Sequence, residues 1–283
     1  MCLLDRDTGA LIFQHELPGA PRLNGLAIDR DGRVLVTLDD GGVVAFGSLD
    51  KLRTSVLQLA QVSKSGAMDA AEVSKRLESA LDMVHDPEGR AFLLASLKQQ
   101  GLDLPAEARR NGSVTDWNLL GPVPWNESDF PTDKALIGEP DIRLDKPCKI
   151  AGQQLAWREY VSADSSGAVD LAGIFGALEN AAVYAYAEVH LPAAGDYQMK
   201  VGSNDGFKCW FNGQEAARFD GGRSYAPDQT VVTVPGKTGV NKILVKITQL
   251  GGRWAFGVRF ADAQGKELGI EQNPLMPSRK AAF

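Results

Sequence analysis

The chain has 283 residues, 44% of them hydrophobic and 23% charged, and its formal net charge at pH 7 is −6. Nucleic-acid-binding proteins need a basic face for phosphate, so this charge argues against that class. No apolar run approaches the roughly 18–20 residues of a membrane-spanning helix. The length allows two domains, and the 30 glycines indicate many turns and hence β-structure.

Residues 1–47 are predicted to form four or five short strands, at 2–4, 10–17, 25–29, 33–38 and 43–46. Asp- and Gly-rich turns separate them, as in hairpins. Within them, residues 4–13 read Leu-Asp-Arg-Asp-Thr-Gly-Ala-Leu-Ile-Phe. This segment resembles the blade repeat of pyrroloquinoline-quinone-type propellers, Leu-Asp-x-x-Thr-Gly-x-x-x-aromatic. The resemblance implies a partial propeller blade whose companions lie upstream, because one blade cannot bury both faces. A small β-meander packed on the C-terminal domain is the alternative.

Residues 48–112 are predicted to form a helical linker of two or three short helices. Asp69, with Glu72 three positions on, suits a helix start, and an apolar stripe follows at helical spacing. Asp86 and Pro87 suit a second start, and Gly101 suits the end of that helix. Because apolar stripes need a surface to cover, we expect these helices to be docked rather than free.

Residues 113–283 return to the β pattern. Segment 117–125 carries Pro122 and Pro124, so it is predicted as an edge or extended segment, and 126–155 as a long ordered loop. Strands are predicted at 155–161, 183–191, 195–201, 207–211, 229–234, 241–249 and 254–261. Such regular spacing with turn signals predicts an antiparallel β-sandwich. The chain is therefore predicted to be mainly β.

The stretch 202–213 reads Gly-Ser-Asn-Asp-Gly-Phe-Lys-Cys-Trp-Phe-Asn-Gly, a turn, an alternating strand and a hairpin dipeptide. With 184–187, 241–249 and 251–260, it resembles a galactose-binding-like jelly-roll module, similar to the protective-antigen-type lectin domain, over roughly 114–265. In planctomycete-like bacterial surface proteins this module often follows propeller or cytochrome domains. The resemblance implies carbohydrate binding. In these lectins an Asp-Asp pair binds calcium at the position of Asn204 and Asp205. Here the first Asp is Asn, so a calcium site and a structural turn remain alternatives.

Sugar binding needs an apolar surface for the ring and polar groups for the hydroxyls. The candidates are Asn204, Asp205, Trp210, Arg223, Tyr225, Asp228, Arg253 and Trp254, with Tyr184 and Tyr186 as further platform residues. Trp254 is in phase with an apolar strand face, which favours a core position. Trp210 either covers the second face of the sheet or meets ligand. The polar loop 220–228, with its one aromatic, is predicted to be the adaptable rim of the site.

The sequence offers no catalytic motif. The histidines at 15, 85 and 190 lack ligand spacing, and GxSxG, HExxH and phosphate-binding loops do not occur. The three cysteines form no CxxC pair. Cys209 alternates with Phe207 and Phe211, so a small core residue is favoured over a reactive thiol. The sequence therefore predicts a non-catalytic chain.

Three functions are compatible with this reading. The first is a carbohydrate-binding module of a larger periplasmic, secreted or cell-surface protein, whose partners are a polysaccharide or glycan and an upstream propeller. The second is a structural module that packs on that propeller without binding sugar. The third is the C-terminal tail of a quinone-dependent dehydrogenase. The first six residues are too short and too charged for a signal peptide, so the protein is expected to be either cytosolic or a fragment of a longer chain.

Overall fold

The computed structural model describes residues 2–4, 11–14, 17, 20–28, 34–39, 43–81, 84, 86–125, 132, 134–150, 153–176 and 178–272. The protein is mainly β. Strands β1 (Cys2–Leu4) and β2 (Leu11–Gln14) form one antiparallel sheet. Strands β3 (Pro21–Ile28), β4 (Val34–Leu38) and β5 (Val43–Phe46) form another. Five strands lie where four or five were predicted, although β3 begins four residues earlier than expected, and they form two small sheets. Residues 5–10 of the propeller-like repeat lie outside the described residues, so the propeller blade stays a prediction.

Four helices follow: α1 (Leu49–Lys64), α2 (Ala70–Leu81), α3 (Pro87–Gln99) and α4 (Leu104–Arg110). Each begins at a side-chain oxygen that accepts a backbone N–H, as an N-cap does. The predicted caps Asp69 and Asp86 accept from Glu72 and Gly89, each at 2.7 Å. Gly101 follows α3 with φ +89°, the left-handed conformation expected of a helix end. Helix α4, whose N-cap is Asp103, is additional to the two or three predicted. No helix in the described ranges is long and apolar enough to cross a bilayer.

The rest of the described chain forms a two-sheet sandwich. Its elements are β6 (Asp116–Pro124), β7 (Cys148–Ile150), β8 (Gln153–Leu155), β9 (Arg158–Val161), β10 (Val169–Asp170), α5 (Leu171–Phe175), β11 (Ala181–Leu191), β12 (Gly195–Asn204), β13 (Gly206–Phe211), β14 (Gln214–Phe219), β15 (Thr230–Gly236), β16 (Gly239–Gln249) and β17 (Ala255–Asp262). One sheet has the order β10-β17-β12-β15, and the other β14-β13-β16-β11-β6-β9, while β7 and β8 pair only with each other in a separate two-stranded sheet. All neighbours are antiparallel. The predicted antiparallel sandwich is confirmed.

The prolines of β6 lie where that strand has a single neighbour. Strand β9 pairs with β6 only over residues 116–119, whereas β11 pairs with it as far as Pro124. The half of β6 that contains Pro122 and Pro124 is therefore an edge, as a strand with missing N–H donors requires.

The space between the two sheets is the main core, built from the inward-facing side chains of both. Trp117 packs edge-on against Phe256 with ring centroids 5.0 Å apart, and Phe211 lies 5.8 Å from Phe260. Cys209 belongs to this core as a free, buried thiol. Burial raises the pKa of Cys209 to about 12, so it is a small core residue and not a reactive thiolate.

The outer face of the six-stranded sheet carries a second core. It is covered by residues 134–150, which end in β7, and by strand β8; together these are called the cover segment. The buried side chains of this core are Leu120, Val123, Ile150, Trp157, Tyr184, Tyr186, Trp210 and Leu244. Lys246, fully buried, ion-pairs with Glu139 at 3.3 Å and donates to the carbonyl oxygens of Thr132 and Lys134. The hydroxyl of Tyr184 donates to the same carboxylate. A buried ion pair thus fixes the predicted long loop to the sheet.

The helices pack on the sandwich, as their apolar stripes require. Arg90 of α3 is 7% exposed and bridges the two parts. Its Nη1 donates to the carbonyl oxygen of Leu81 at 2.7 Å, and its Nη2 to that of Val161 in β9 at 3.5 Å. Its guanidinium also lies 4.9 Å from the ring centre of Tyr160. The segment 48–112 is therefore a docked part of the structure.

Candidate functional site

The eight sequence-derived candidates lie in three environments. Trp254 is 1% exposed in the main core, and Trp210 is 5% exposed in the second core. Tyr184 and Tyr186 lie beneath the cover segment as well. These four aromatic side chains therefore offer no open platform in this structure. The other six candidates lie at the β12–β13 corner and on the loops beside it.

The corner is organised by Asp205, which follows β12. Its Oδ1 accepts the backbone N–H of Arg223 at 3.1 Å, and its Oδ2 accepts that of Leu250 at 2.8 Å. One carboxylate therefore holds loops 220–229 and 250–254 to the same corner. The Asn204–Asp205 peptide bond is cis. Arg253 is exposed on the second of these loops.

The donor set at this corner does not fit the calcium ion that the family resemblance implies. Calcium takes about six to eight oxygen ligands, several of them charged. Both oxygens of Asp205 already accept backbone N–H groups. Asn204 Oδ1 is buried without a hydrogen-bond partner among the described residues, but no group of three or more His, Cys, Asp or Glu side chains in those ranges could hold a metal. The chemistry of this corner therefore favours a structural turn over a calcium site.

Loop 220–229 is anchored at both ends. Near its start, Arg223 donates from Nη2 to Ser203 Oγ at 2.8 Å and lies 4.3 Å from the ring centre of Phe219. Near its end, Asp228 accepts a hydrogen bond from Arg259 and lies 3.9 Å from Lys200 Nζ. These two cations face each other in the β12–β17 register, where like charges repel. Asp228 thus stabilises the sheet surface while it holds the loop down.

Between these anchors, Tyr225 lies over a pair of glycines. Gly202 and Gly257 are direct partners in the β12–β17 register. A Cβ at position 202 would lie 2.3 Å from the Ala226 carbonyl oxygen, and one at 257 would lie 2.8 Å from the Tyr225 hydroxyl. The two glycines therefore create the slot that receives the tyrosine. Burial raises the pKa of Tyr225, although a hydrogen bond with Ser166 acts in the opposite direction, so the phenol stays protonated.

Tyr225 lines a cleft of about 720 Å³ between the helices and the sandwich. Tyr160, Asp164 and Asp170 line the cleft from the sandwich, and Ala255 joins them. Ala255 is also the register partner of Asn204, so the cleft adjoins the corner described above. The helical wall contributes further polar groups, including Lys75, Glu78, Ser79 and Arg90.

Sequence reasoning found Tyr225 but missed the rest of this cleft. Tyr160 is the second-last residue of the predicted strand 155–161, and the polar turn Ser162-Ala163-Asp164-Ser165-Ser166-Gly167 follows that strand. That turn was a usable signal, because polar turns after strands are common positions for binding residues. The helical wall had no comparable signal, since its polar residues read as an ordinary solvated face.

No family model and no curated protein matches this chain. Among solved structures, it is similar to the PA14 domain of the MpAFP antifreeze protein, with 24% identity over 30% of this chain and a TM-score of 0.27. It is also similar to the PA14 sugar-binding domain from an RTX adhesin, with 15% identity over 56% of this chain and a TM-score of 0.33. A beta-glucosidase from Kluyveromyces marxianus has 11% identity over 55% of this chain, with a TM-score of 0.34. This chain spans 45%, 96% and 18% of those three structures, respectively.

Proposed function

We propose that this chain is a non-catalytic carbohydrate-binding module of a larger secreted or surface protein, and that the cleft beside Tyr225 is its binding site. Sugar sites combine an aromatic surface with a few placed polar groups in a concave pocket of roughly 300–1,000 Å³. The cleft has one partly exposed phenol ring, Tyr225, and hydrogen-bonding groups on both walls, whereas Tyr160, which also lines it, is 8% exposed.

The placement of Tyr225 carries the proposal. Arg223 and Asp228 hold the loop on either side of the ring, and the glycine pair supplies the surface beneath it. A ring that is already positioned loses little conformational freedom when a sugar stacks on it. The neutral hydroxyl can both donate to and accept from a sugar hydroxyl.

The carboxylates of the cleft are held in place by local hydrogen bonds. Asp164 accepts from the backbone N–H and the hydroxyl of Ser166 at 2.7 and 2.5 Å. Asp170 caps α5 by accepting from Gly173 N at 3.1 Å. Each carboxylate is therefore held by donors of its own turn or helix start, with lone pairs left over for further hydrogen bonds. These groups act as fixed acceptors for hydroxyls.

Tyr225→Ala is expected to weaken carbohydrate binding by at least about tenfold, the equivalent of roughly 1.4 kcal/mol. Affinity gels with neutral and acidic polysaccharides, with and without calcium, would identify a retained polysaccharide, and titration calorimetry would measure the loss. Tyr225→Phe is the matched control and should retain most of the affinity, because it keeps the ring. If the native chain binds none of the polysaccharides, or if the Ala variant binds as tightly as the native chain, the proposal fails.

A second candidate function, packing on further β-structure, rests on the surface of the β3–β5 sheet. Leu23, Leu26, Ile28 and Val43 are 95%, 59%, 64% and 61% exposed. Exposed apolar side chains on so small a sheet favour a covering partner. In this case the partner would be an upstream propeller, either of a carbohydrate-binding protein or of a quinone-dependent dehydrogenase.

Attaching the upstream sequence is then expected to raise the Tm of the chain by several degrees. The double variant Leu26→Ser and Ile28→Ser should leave the Tm of the present chain nearly unchanged, because both side chains are exposed, but should remove the gain. Differential scanning calorimetry would measure the Tm of the native chain and of the double variant, each with and without the upstream sequence. Equal gains with and without the substitutions would mean that this surface is not the interface.

A further inference from the structure

Helix α2 forms one wall of the Tyr225 cleft. Lys75, Glu78 and Ser79 all line it, and their spacing of three and four residues places them on one face of the helix. All three side chains belong to exposed residues. The wall opposite is formed by the exposed carboxylates Asp164 and Asp170. A ligand in this cleft would therefore meet residues from two separate parts of the chain.

Arg90 holds that wall in place. It donates to the carbonyl oxygen of Leu81, the last residue of α2, and to that of Val161 in β9, so a single guanidinium joins the helix to the sandwich. It stacks on Tyr160, which lines the same cleft. The helical wall is consequently fixed relative to the aromatic surface, as a composite site requires.

The charges of the cleft oppose an anionic ligand. Three exposed carboxylates, Glu78, Asp164 and Asp170, face it from both walls. Of the two cations, Lys75 is exposed, whereas Arg90 is buried and bonded to backbone carbonyls. Exposed charges within about 8–10 Å still interact at physiological ionic strength. A uronate or sulfate group would be repelled, whereas neutral hydroxyls would find both donors and acceptors.

We propose that helix α2 is part of the carbohydrate site and that Glu78, together with Asp164 and Asp170, restricts the site to neutral sugars. This inference rests on the proposed function, since it assumes that the cleft binds carbohydrate. It assigns to the helical segment a role in specificity as well as in packing.

The test compares one polysaccharide in two charge states. The probe is a neutral polysaccharide that the native chain retains, and the same polymer after oxidation of its C6 hydroxyls to uronates. We expect the oxidised form to bind at least about tenfold more weakly at low salt, with a smaller difference at high salt because screening weakens the repulsion. Preferential binding of the oxidised form, or retention of acidic polysaccharides alone, would overturn the inference.

Variants of helix α2 separate this inference from the proposed function. Glu78→Lys should improve binding of the oxidised polymer at least threefold, while circular dichroism stays unchanged because the residue is exposed. Glu78→Gln should reduce the difference in affinity between the neutral and the oxidised polymer. Glu72→Gln is a control on the same helix, since the Glu72 side chain pairs with Arg76; it should leave the affinity for each polymer unchanged. If both Glu78 variants behave as the native chain while Tyr225→Ala abolishes binding, α2 lies outside the site although the chain still binds carbohydrate. If affinity gels identify no polysaccharide that the native chain retains, the proposed function itself fails.

Discussion

Glu139→Ala is expected to lower the free energy of unfolding by about 3–5 kcal/mol, because it removes one partner of a buried ion pair. The side chains of Lys246 and Glu139 are 0% and 6% exposed, and their charged atoms lie 3.3 Å apart. The variant would leave the Lys246 ammonium buried without a carboxylate with which it now pairs, although its bonds to the carbonyl oxygens of Thr132 and Lys134 remain. Guanidinium chloride unfolding at pH 7 measures the effect.

Two controls show whether the loss comes from burial. Glu88→Ala removes an exposed pair with Arg53, whose side chains are 67% and 42% exposed, so it should cost less than about 1 kcal/mol. The double variant Glu139→Leu and Lys246→Met replaces both charges with apolar groups, so it should recover most of the stability. A loss for Glu139→Ala no larger than that for Glu88→Ala would contradict the role of this pair in holding the cover segment.

Gly202→Ala is expected to weaken carbohydrate binding as much as Tyr225→Ala does, at least about tenfold. The new Cβ would lie 2.3 Å from the Ala226 carbonyl oxygen, so the loop that carries Tyr225 must move away from β12. Overpacking of this kind also costs about 1–3 kcal/mol of stability. Calorimetric titration and chemical denaturation measure the two effects.

Gly251→Ala is the matched control for that substitution. It lies on the neighbouring loop, and its new Cβ would approach Glu179 Cγ at an ordinary 3.4 Å. Both affinity and stability should stay close to those of the native chain. If Gly202→Ala binds as the native chain does, the glycine pair does not position the ligand-binding ring.

Local structure was readable from the sequence wherever neighbouring residues determine it. Strand β13 and the turn after it appear where alternation and the Asn-Gly pair indicated them, and Asn212 and Gly213 both have positive φ, as the tight hairpin requires. Helix α4 could have been found too. Asp103 precedes Leu104 and Pro105, which is the same signal that revealed α3.

The cover over Tyr184, Tyr186 and Trp210 could not be read in the same way. The sequence left open whether Trp210 covers the second face of the sheet or meets ligand, and it does not say which segment buries that face. The answer depends on Lys246 and Glu139, which are more than a hundred positions apart in the chain. A single lysine within a strand reads as an exposed residue until its partner is known.

The residues of the cleft, too, could be predicted only where a local pattern marks them. Tyr225 was identified because it is the one aromatic residue of a polar loop, but its supporting glycines are significant only once the β12–β17 register pairs them. Helix α2 joins the site through Arg90, whose acceptor at Val161 is 71 positions away. Contacts at such separations depend on the whole fold, so local patterns do not reveal them.

The most direct test of the central claim is to map the bound carbohydrate by amide chemical shifts, using oligosaccharides from a polysaccharide that the native chain retains. We predict shifts for residues 160–170 and 223–228 and for the exposed face of α2, and their loss in Tyr225→Ala. Shifts confined to residues 21–46, or to the far ends of the sandwich, would contradict the assignment of this cleft as the binding site.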